Sequence, residues 1–282
     1  MGIHPTAMID PSANLGNDVT IGPYVMIEAG VTLGDRCTID AFSIIKEGTT
    51  FGTDNHVYER AIIGGLPQHL HMVEPVGGLI IGTGNRIREN ATIHRAMHVG
   101  ANTIVGDNNY LMVGTHVAHD CVVGNHTIFA NNAMLGGHVV VEDRAYISGN
   151  VAVHQFCRVG KLAMCGAIAR ITKDVPPFVT VDGTSANVVG LNTIGLRRAG
   201  FTTPEITELK KAYRVIYRSG MTWRAIIDTL QTQFTEGPSA EYGRFLPLVT
   251  RGIIQERRMP PGSTIKFTEE AVPEPTLRVA QG

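Results

Sequence analysis

Four histidines and one aspartate between residues 116 and 154 are the strongest candidates for chemistry in this chain. They are His116, His119, Asp120, His138 and His154. A neutral imidazole is an effective general base near neutral pH, and an adjacent carboxylate can orient the ring and stabilise its protonated form. The consecutive pair His119 and Asp120 therefore predicts a base with its orienting partner.

The glycine pair Gly136 and Gly137 lies in the same stretch and can present a backbone N–H to a developing oxyanion. No serine or cysteine of the stretch is placed convincingly as an activated nucleophile. Direct attack by a bound acceptor is therefore a simpler mechanism than one with a covalent enzyme intermediate.

Two other functions account for the same residues. Histidines on neighbouring faces can bind zinc, with a water molecule completing the site, and the chain would then be a metal-dependent hydratase. A noncatalytic assembly scaffold would need these residues only for hydrogen bonds at the corners of its fold. Four histidines at stacked positions favour chemistry over the scaffold.

A six-residue repeat must position these side chains. An aliphatic or aromatic residue recurs at every sixth position from Ile3 to Ile63, and again from Ile81 to Ile171, where Cys165 takes one place. Only His69 and Pro75 break the series, and the frame continues across them. This period is typical of a chain that runs straight, turns and repeats, so that three sides close an eighteen-residue coil and successive coils stack as parallel strands.

The eighteen-residue coil places the candidates relative to one another. Val117, Leu135 and Val153 stack on consecutive coils, and Asp120 and His138 each follow their stacked residue by three positions. We therefore expect Asp120 and His138 to occupy equivalent places one strand spacing apart. Glycine often follows the inward residue, and we expect these glycines to provide positive φ and close backbone approach at the corners.

The repeat divides the chain into three parts. We assign residues 1–186 to the repeat, with one excursion at 64–80 that has glycine at both ends and contains Pro67 and Pro75. Loops of this length are usually functional. Residues 187–258 show helical spacing, with helix starts expected at Thr203, Thr222 and Pro238 or Ser239. Residues 259–282 are expected to form a poorly ordered tail.

Composition excludes several classes of function. The formal net charge of −1 implies no general field for binding nucleic acid. The chain has four cysteines, Cys37, Cys121, Cys157 and Cys165, and they lack zinc-ribbon spacing. We interpret Cys165 as a small core residue. No segment has the pattern of a signal peptide or a membrane span. A cytoplasmic location is therefore expected.

Several sequence motifs in the chain resemble those of the acyl-carrier-protein-dependent UDP-N-acetylglucosamine O-acyltransferases that begin lipid A biosynthesis. The matching motifs are IG-x-GNRIREN-x-TIHR, H-x-AHDC-x-VGN, ANNA, GGHV, AVHQFC, DVPP, N-x-x-GL-x-R-x-GF and AYRVIYRSG. The resemblance implies a mainly β fold, a left-handed parallel β-helix followed by a small α-helical C-terminal domain. Crossovers between parallel strands are normally right-handed, so this hand comes from the resemblance alone.

The same resemblance implies roles for individual residues. His119 would be the general base, Asp120 its orienting partner and the Gly137 N–H the oxyanion hole. The acceptor sugar and acyl-phosphopantetheine would be bound by Gln68, His69, His71, His116, His138, His154 and Gln155. Asn192 and Arg198 would reach the nucleotide, where a planar guanidinium suits a diphosphate. Ala167 matches the position near the acyl-chain floor, where its methyl group would shorten the preferred chain relative to glycine.

The resemblance also implies partners. The family forms homotrimers with active sites between neighbouring prisms, and its members need no metal or other cofactor because phosphopantetheine arrives on the acyl carrier protein. That carrier is acidic, and four basic residues near the last coils would receive it, namely Arg158, Lys161, Arg170 and Lys173. A solvated basic face would account for these four residues equally well.

The match fails on the acceptor side. The family's Gln-Asp-Leu-Lys motif is Gln68-His69-Leu70-His71 here, so that a carboxylate and an ammonium group are both replaced by imidazole. Near the nucleotide, Ile194, Ser185 and Ala199 stand where glutamate, histidine and arginine are usual. The sequence therefore predicts acyl transfer, to the 3-position of UDP-N-acetylglucosamine or of a related UDP-amino-sugar. A 3-amino analogue would give an amide product.

Overall fold

Three parallel β-sheets form the faces of a triangular prism in the computed structural model, which describes residues 2–257. The predicted tail at 259–282 lies outside the described residues. Each coil of the prism contributes one short strand to each face, and the aliphatic residue of that strand points inward. The inward side chains form one continuous core, in which Ile39, Val57, Ile87 and Leu111 are fully buried. Consecutive strands of a face lie about 4.8 Å apart.

The strands have these bounds in each face. The first face consists of β1 (Gly2–Ile3), β4 (Thr20–Ile21), β7 (Thr38–Ile39), β10 (His56–Val57), β13 (Arg86–Ile87), β16 (Tyr110–Leu111), β19 (Ile128–Phe129), β22 (Tyr146–Ile147), β25 (Met164–Cys165), β27 (Val179–Asp182) and β28 (Asn187–Leu191). The second face consists of β2 (Met8–Ile9), β5 (Met26–Ile27), β8 (Ile44–Ile45), β11 (Ile62–Gly65), β14 (Thr92–His94), β17 (His116–Val117), β20 (Met134–Leu135), β23 (Ala152–Val153) and β26 (Arg170–Ile171). The third face consists of β3 (Asn14–Leu15), β6 (Thr32–Leu33), β9 (Thr49–Phe51), β12 (Gly78–Ile81), β15 (Asn102–Val105), β18 (Val122–Val123), β21 (Val140–Val141) and β24 (Arg158–Val159).

A left-handed backbone conformation recurs at every sixth residue from 18 to 60, at 84 and 90, and from 108 to 168. Asp120 (φ 59°) and His138 (φ 60°) are two examples, and each lies three positions after an inward residue. Most residues at these corners are not glycine, although the conformation strains an L-residue. Of the glycines that directly follow a residue of the six-residue series, only Gly64 and Gly100, both next to insertions, have positive φ among the described residues. That part of the prediction is therefore wrong for most of them. They provide close approach, since a Cβ on Gly34 would lie 2.5 Å from the Gly52 backbone.

The prism has two insertions rather than the single predicted excursion. Paired residues are 18 apart over most of its length, but 30 apart across the first insertion and 24 apart across the second. The first insertion is shorter than the predicted 64–80, because β11 and β12 extend into both ends and leave residues 66–77 outside the strands. The second spans 95–101, between β14 and β15.

Val99 belongs to the second insertion and not to the core. It falls in the six-residue series, yet 68% of its surface is exposed, whereas Val105 is 1% exposed. We expect Val99→Ala to change the free energy of unfolding by less than about 0.5 kcal/mol, and Val105→Ala to lower it by about 2 kcal/mol. Denaturant unfolding of both variants measures this difference. Equal losses would mean that Val99 packs inside the prism.

Within residues 2–257, a hairpin and four helices close the end of the prism. The predicted boundary at residue 186 is wrong, because β28 pairs antiparallel with β27 and extends the first face to Leu191. The helices that follow are α1 (Thr193–Arg198), α2 (Thr203–Arg218), α3 (Trp223–Gln233) and α4 (Ala240–Phe245), with a final 3-10 turn at Leu246–Leu248. No helix in residues 2–257 is long and apolar enough to cross a membrane.

The helix starts agree closely with the sequence prediction. Helix α2 is capped by Thr202, one residue before the predicted Thr203, because the Thr202 hydroxyl accepts from the Glu205 N–H while the Glu205 carboxylate accepts from the Thr202 N–H. Thr222 caps α3, as predicted. The helices pack on the prism end, where Tyr213 and Ile254 join the prism core. Helix α1 was not predicted, because six residues are too short for a helical period.

Candidate active site

His119 and Asp120 follow β17 and form a hydrogen-bonded pair. The Nδ1 atom of His119 lies 2.7 Å from Oδ2 of Asp120, and the two side chains are 10% and 13% exposed. A carboxylate only accepts hydrogen bonds, so Nδ1 carries the ring proton and Nε2 has the free lone pair. The pair therefore has the arrangement of a general base and its orienting carboxylate.

The preceding coil fixes Asp120 in place. The Met97 N–H donates to both carboxylate oxygens at 3.2 and 3.3 Å, and the Asp120 N–H donates to the hydroxyl of Thr103 at 2.8 Å. Thr103 is fully buried. Met97 lies in the second insertion, so this loop, which the sequence did not reveal, supplies a contact to the predicted site.

His138 occupies the next corner, as the eighteen-residue spacing predicts. Its Nε2 atom lies 3.8 Å from Oδ2 of Asp120, and its ring meets His119 edge to face with centroids 5.3 Å apart. Phe156, one further coil along, stacks on His138 at 4.6 Å and 8°. Burial lowers the pKa of His138, although the Asp120 charge acts in the opposite direction. The neutral ring is therefore favoured near pH 7.

Gly137 packs against the imidazole of His119. A Cβ at this position would lie 2.6 Å from Cε1 of His119, so the imidazole rests directly against the glycine backbone. Among residues 2–257, the Gly137 N–H has no hydrogen-bond acceptor. A free backbone donor beside the base matches the predicted oxyanion hole.

The first insertion folds back onto the base. His69 meets His119 edge to face with centroids 5.8 Å apart, and His71 lies 5.8 Å from His69. The His71 N–H donates to Nδ1 of His69 at 3.1 Å. Gln68, His69 and His71 are all exposed. The excursion singled out in the sequence therefore brings His69 to the site.

His94 is a site residue that sequence reasoning missed. It is buried behind His116, with centroids 5.0 Å apart, and Nδ1 of His116 bonds the Thr92 hydroxyl at 2.8 Å. Burial lowers the pKa of His116, and burial with the nearby His116 and His119 lowers the pKa of His94 to about 4. The sequence signal that could have identified His94 is its position directly after the inward residue Ile93, because His154 likewise follows the inward residue Val153.

The buried His94 predicts a loss of stability in mild acid. The unfolded chain protonates this ring near pH 6.5 and the folded chain only near pH 4. Between these pH values the unfolded state thus binds more protons than the folded state. The contribution of His94 to the free energy of unfolding therefore falls by about 2 kcal/mol from pH 7 to pH 5. Denaturant unfolding at both pH values should show a smaller drop for His94→Gln. The exposed His154→Gln is the matched control and should keep the full drop.

Other predicted residues lie at the surface of the single chain. His154, Gln155, Ala167 and Arg198 are exposed. Asn192 caps α1, since its side chain accepts from the Gly195 N–H at 3.0 Å and donates to the Leu162 carbonyl at 2.9 Å. Its amide is therefore already used within the chain.

Arg158 differs from the other three predicted docking residues. It bonds Glu142 at 2.9 Å and its guanidinium lies 5.4 Å from the centre of the Phe245 ring, with 23% of the side chain exposed. This arginine joins the prism to α4 and is not a free surface cation. Lys161 is half-buried, and Arg170 and Lys173 are exposed.

His69 is exposed and His138 is partly exposed, whereas His94 and His119 are buried. A cavity of about 1500 Å³ lies between β28, α2 and α3, against Val188, Ile216 and Trp223. None of the predicted site residues lines it. Within residues 2–257, one group of side chains could hold a metal ion, namely His119, Asp120 and His138, whose donor atoms lie within 4.8 Å of one another.

Comparison with known proteins agrees with this fold. Residues 174–254 match the second domain of the UDP N-acetylglucosamine O-acyltransferase family, and residues 12–47 and 102–137 match the bacterial transferase hexapeptide repeat. An acyl-(acyl-carrier-protein)–UDP-N-acetylglucosamine O-acyltransferase of Neisseria gonorrhoeae is 50% identical over 90% of this chain and 99% of its own length. One of Halorhodospira halophila is 54% identical over 78% of this chain and 85% of its own length.

Solved structures show the same similarity. The enzyme of Francisella novicida has a TM-score of 0.87 at 33% identity, covering 90% of this chain and 94% of its own. That of Acinetobacter baumannii has a TM-score of 0.86 at 38% identity, covering 90% and 99%. The fold and the site define an acyltransferase built on a left-handed parallel β-helix. The chain belongs to the family of acyl-(acyl-carrier-protein)–UDP-N-acetylglucosamine O-acyltransferases. The predicted resemblance, fold class and enzyme class are confirmed.

Proposed function

We propose that this protein transfers a 3-hydroxyacyl chain from acyl carrier protein to the 3-hydroxyl of UDP-N-acetylglucosamine, the first step of lipid A biosynthesis. The observation that carries the proposal is the hydrogen-bonded His119–Asp120 pair, whose imidazole packs against Gly137, a residue whose N–H has no acceptor among residues 2–257. The pair supplies a base beside a donor for an oxyanion, which is what acyl transfer from a thioester requires.

The reaction follows from this geometry. Nε2 of His119 removes the proton of the sugar hydroxyl as its oxygen attacks the thioester carbonyl. The carbonyl oxygen becomes an oxyanion that accepts from the Gly137 N–H, and Asp120 stabilises the imidazolium. The intermediate collapses, the C–S bond breaks, and His119 returns the proton to the leaving thiolate of phosphopantetheine. No metal or further cofactor enters this scheme.

We assign the remaining substrate contacts to residues around the base. The rings of His69 and His138 contact His119. His116 and the exposed Gln68, His71, His154 and Gln155 complete the proposed sugar and phosphopantetheine surface. Arg198 is assigned to the nucleotide and Ala167 to the end of the acyl chain. Asn192 supports the nucleotide side through its cap on α1. Lys161, Arg170 and Lys173 are proposed to receive the carrier protein.

A homotrimer would complete the site. The second and third faces carry exposed aliphatic residues that water would otherwise contact, and these are Met8, Met26, Ile62 and Met134 on the second face and Ile80, Ile104 and Val122 on the third. Burying such rows against neighbouring prisms is favourable. It would also place residues of a neighbouring chain against the exposed His69 and the partly exposed His138. A cytoplasmic location is proposed, since all four cysteines are free and buried.

A second acceptor is favoured by the position of His69. The ring lies against His119, at a place where the resemblance puts a carboxylate. A UDP-sugar with a 3-amino group is a stronger nucleophile than an alcohol and needs less help from acceptor-side charges. That acceptor would give an amide instead of an ester.

An assay with defined substrates tests both acceptors. The protein is incubated with 3-hydroxyacyl carrier proteins of several chain lengths and with UDP-N-acetylglucosamine or its 3-amino analogue. An alkali-labile ester product supports the first proposal and an alkali-stable amide supports the second. Absence of product with every pair, together with zinc-dependent hydration activity, would support the hydratase instead.

A further inference from the structure

We propose that His119, Asp120 and His138 form an inhibitory site for a divalent transition metal ion such as Zn²⁺. The inference rests on the proposed function, because inhibition acts through the base His119. The donor set consists of two imidazoles and one carboxylate, which is typical of a zinc site with three protein ligands and one open position. In residues 2–257, these are the only histidine, cysteine or acidic side chains grouped closely enough to hold such an ion.

The distances suit a four-coordinate ion after a small movement. Nδ1 of His119 and Oδ2 of Asp120 are 2.7 Å apart, and Oδ2 of Asp120 and Nε2 of His138 are 3.8 Å apart. Ligands about 2.1 Å from a tetrahedral ion are separated by about 3.4 Å. The His119–Asp120 pair must therefore open by about 0.7 Å and the His138–Asp120 pair must close by about 0.4 Å. The three donor atoms already lie within 4.8 Å of one another, and 38% of the His138 side chain is exposed.

Neighbouring residues contact two of the three ligands. The Met97 N–H bonds both oxygens of Asp120, and Phe156 stacks on the His138 ring. Such partners of the ligands are needed for tight metal binding. His69 also contributes, because its Nδ1 accepts from the His71 N–H and Nε2 therefore keeps the ring proton. That proton can be donated to a water molecule on the metal.

A bound ion would stop acyl transfer whichever nitrogen of His119 it takes. Binding at Nε2 occupies the lone pair that removes the acceptor proton. Binding at Nδ1 leaves the proton on Nε2, which then cannot act as a base. Inhibition should therefore be complete at saturation and reversed by a chelator.

Co²⁺ titration tests the site without using activity. EDTA-treated, desalted protein is titrated with Co²⁺, whose visible absorption reports four-coordinate binding. We expect one ion per chain, and binding at least about tenfold weaker in His138→Ala. The matched control is His56→Ala, which breaks the other close His–Asp pair, His56 and Asp40 at 2.6 Å, where no third donor joins among the described residues. Equal binding by wild type and His138→Ala, or no binding, overturns the proposal.

Activity measurements separate this proposal from the proposed function. Acyl transfer is measured in EDTA and then with increasing free Zn²⁺. The inhibitory site is supported if wild type and His56→Ala both transfer acyl groups in EDTA and both lose this activity when Zn²⁺ is added. The inhibitory site is overturned if acyl transfer requires Zn²⁺. If Co²⁺ binds as expected but no acyl transfer occurs in EDTA, the metal site stands while the proposed function and its inhibition fail.

Discussion

Replacing His119 with alanine is expected to lower kcat/KM for acyl transfer by about 10²–10⁴-fold, because the acceptor hydroxyl loses its general base. The ring lies outside the inward series, but only 10% of the side chain is exposed and it bonds Asp120. Its removal should lower the free energy of unfolding by about 1–3 kcal/mol, because the Asp120 carboxylate loses this partner, while the chain stays folded. Initial rates with an acyl carrier protein and the UDP-sugar, together with denaturant unfolding, measure both effects.

The neighbouring variants sharpen that test. Asp120→Asn keeps the shape of the side chain, removes the negative charge that orients His119 and should lower activity less than the loss of His119. His56→Ala removes a histidine from the other close His–Asp pair and should leave the rate unchanged. An active His119→Ala would show that another group removes the acceptor proton.

Gly137→Ala is expected to lower activity by about 10²-fold or more with little effect on folding. Its methyl group would lie 2.6 Å from Cε1 and 2.8 Å from Nε2 of His119, so the imidazole must move off the glycine backbone. A displacement of about 1 Å at a reacting group costs on the order of 10²-fold in rate. The N–H at residue 137 remains in this variant, so the loss reports the position of the base.

Gly149→Ala is the matched control for this substitution. Gly149 holds an equivalent place at another corner of the prism, and its new Cβ would meet only the Asn131 carbonyl oxygen, at an ordinary 3.4 Å. Its activity should equal that of wild type. If Gly137→Ala were as active as Gly149→Ala, the contact between His119 and Gly137 would not matter for the reaction.

The sequence predicted the features that depend on periodicity and missed those that depend on loop conformation. Asp120 and His138 were placed on adjacent coils because an eighteen-residue coil relates positions by counting alone. His69 could not be placed against His119, because a loop between strands has no period that fixes its path. His94 was missed because a side chain buried behind the site gives no signal of its own beyond its position after an inward residue.

Val99 shows a different limit of the same reasoning. The second insertion adds six residues to a coil, and an insertion equal to the repeat leaves the pattern of inward residues unchanged. Counting alone therefore assigned an exposed valine to the core. The boundary at residue 186 was misplaced for a related reason, since the antiparallel strand β28 belongs to the sheet but does not follow the six-residue rhythm.

Both insertions have lengths that are multiples of the six-residue repeat. Paired residues are 18 apart in a regular coil, but 30 and 24 apart across the two insertions. The insertions therefore add 12 and 6 residues, which is two sides and one side of the triangular coil. A loop changed by a whole repeat leaves every later side chain on its original face, whereas a change by one residue turns the later inward residues outward. Evolution can therefore resize the loops that cover the base without altering the coils that hold it, and acceptor recognition can diverge while the acyl-transfer centre stays fixed.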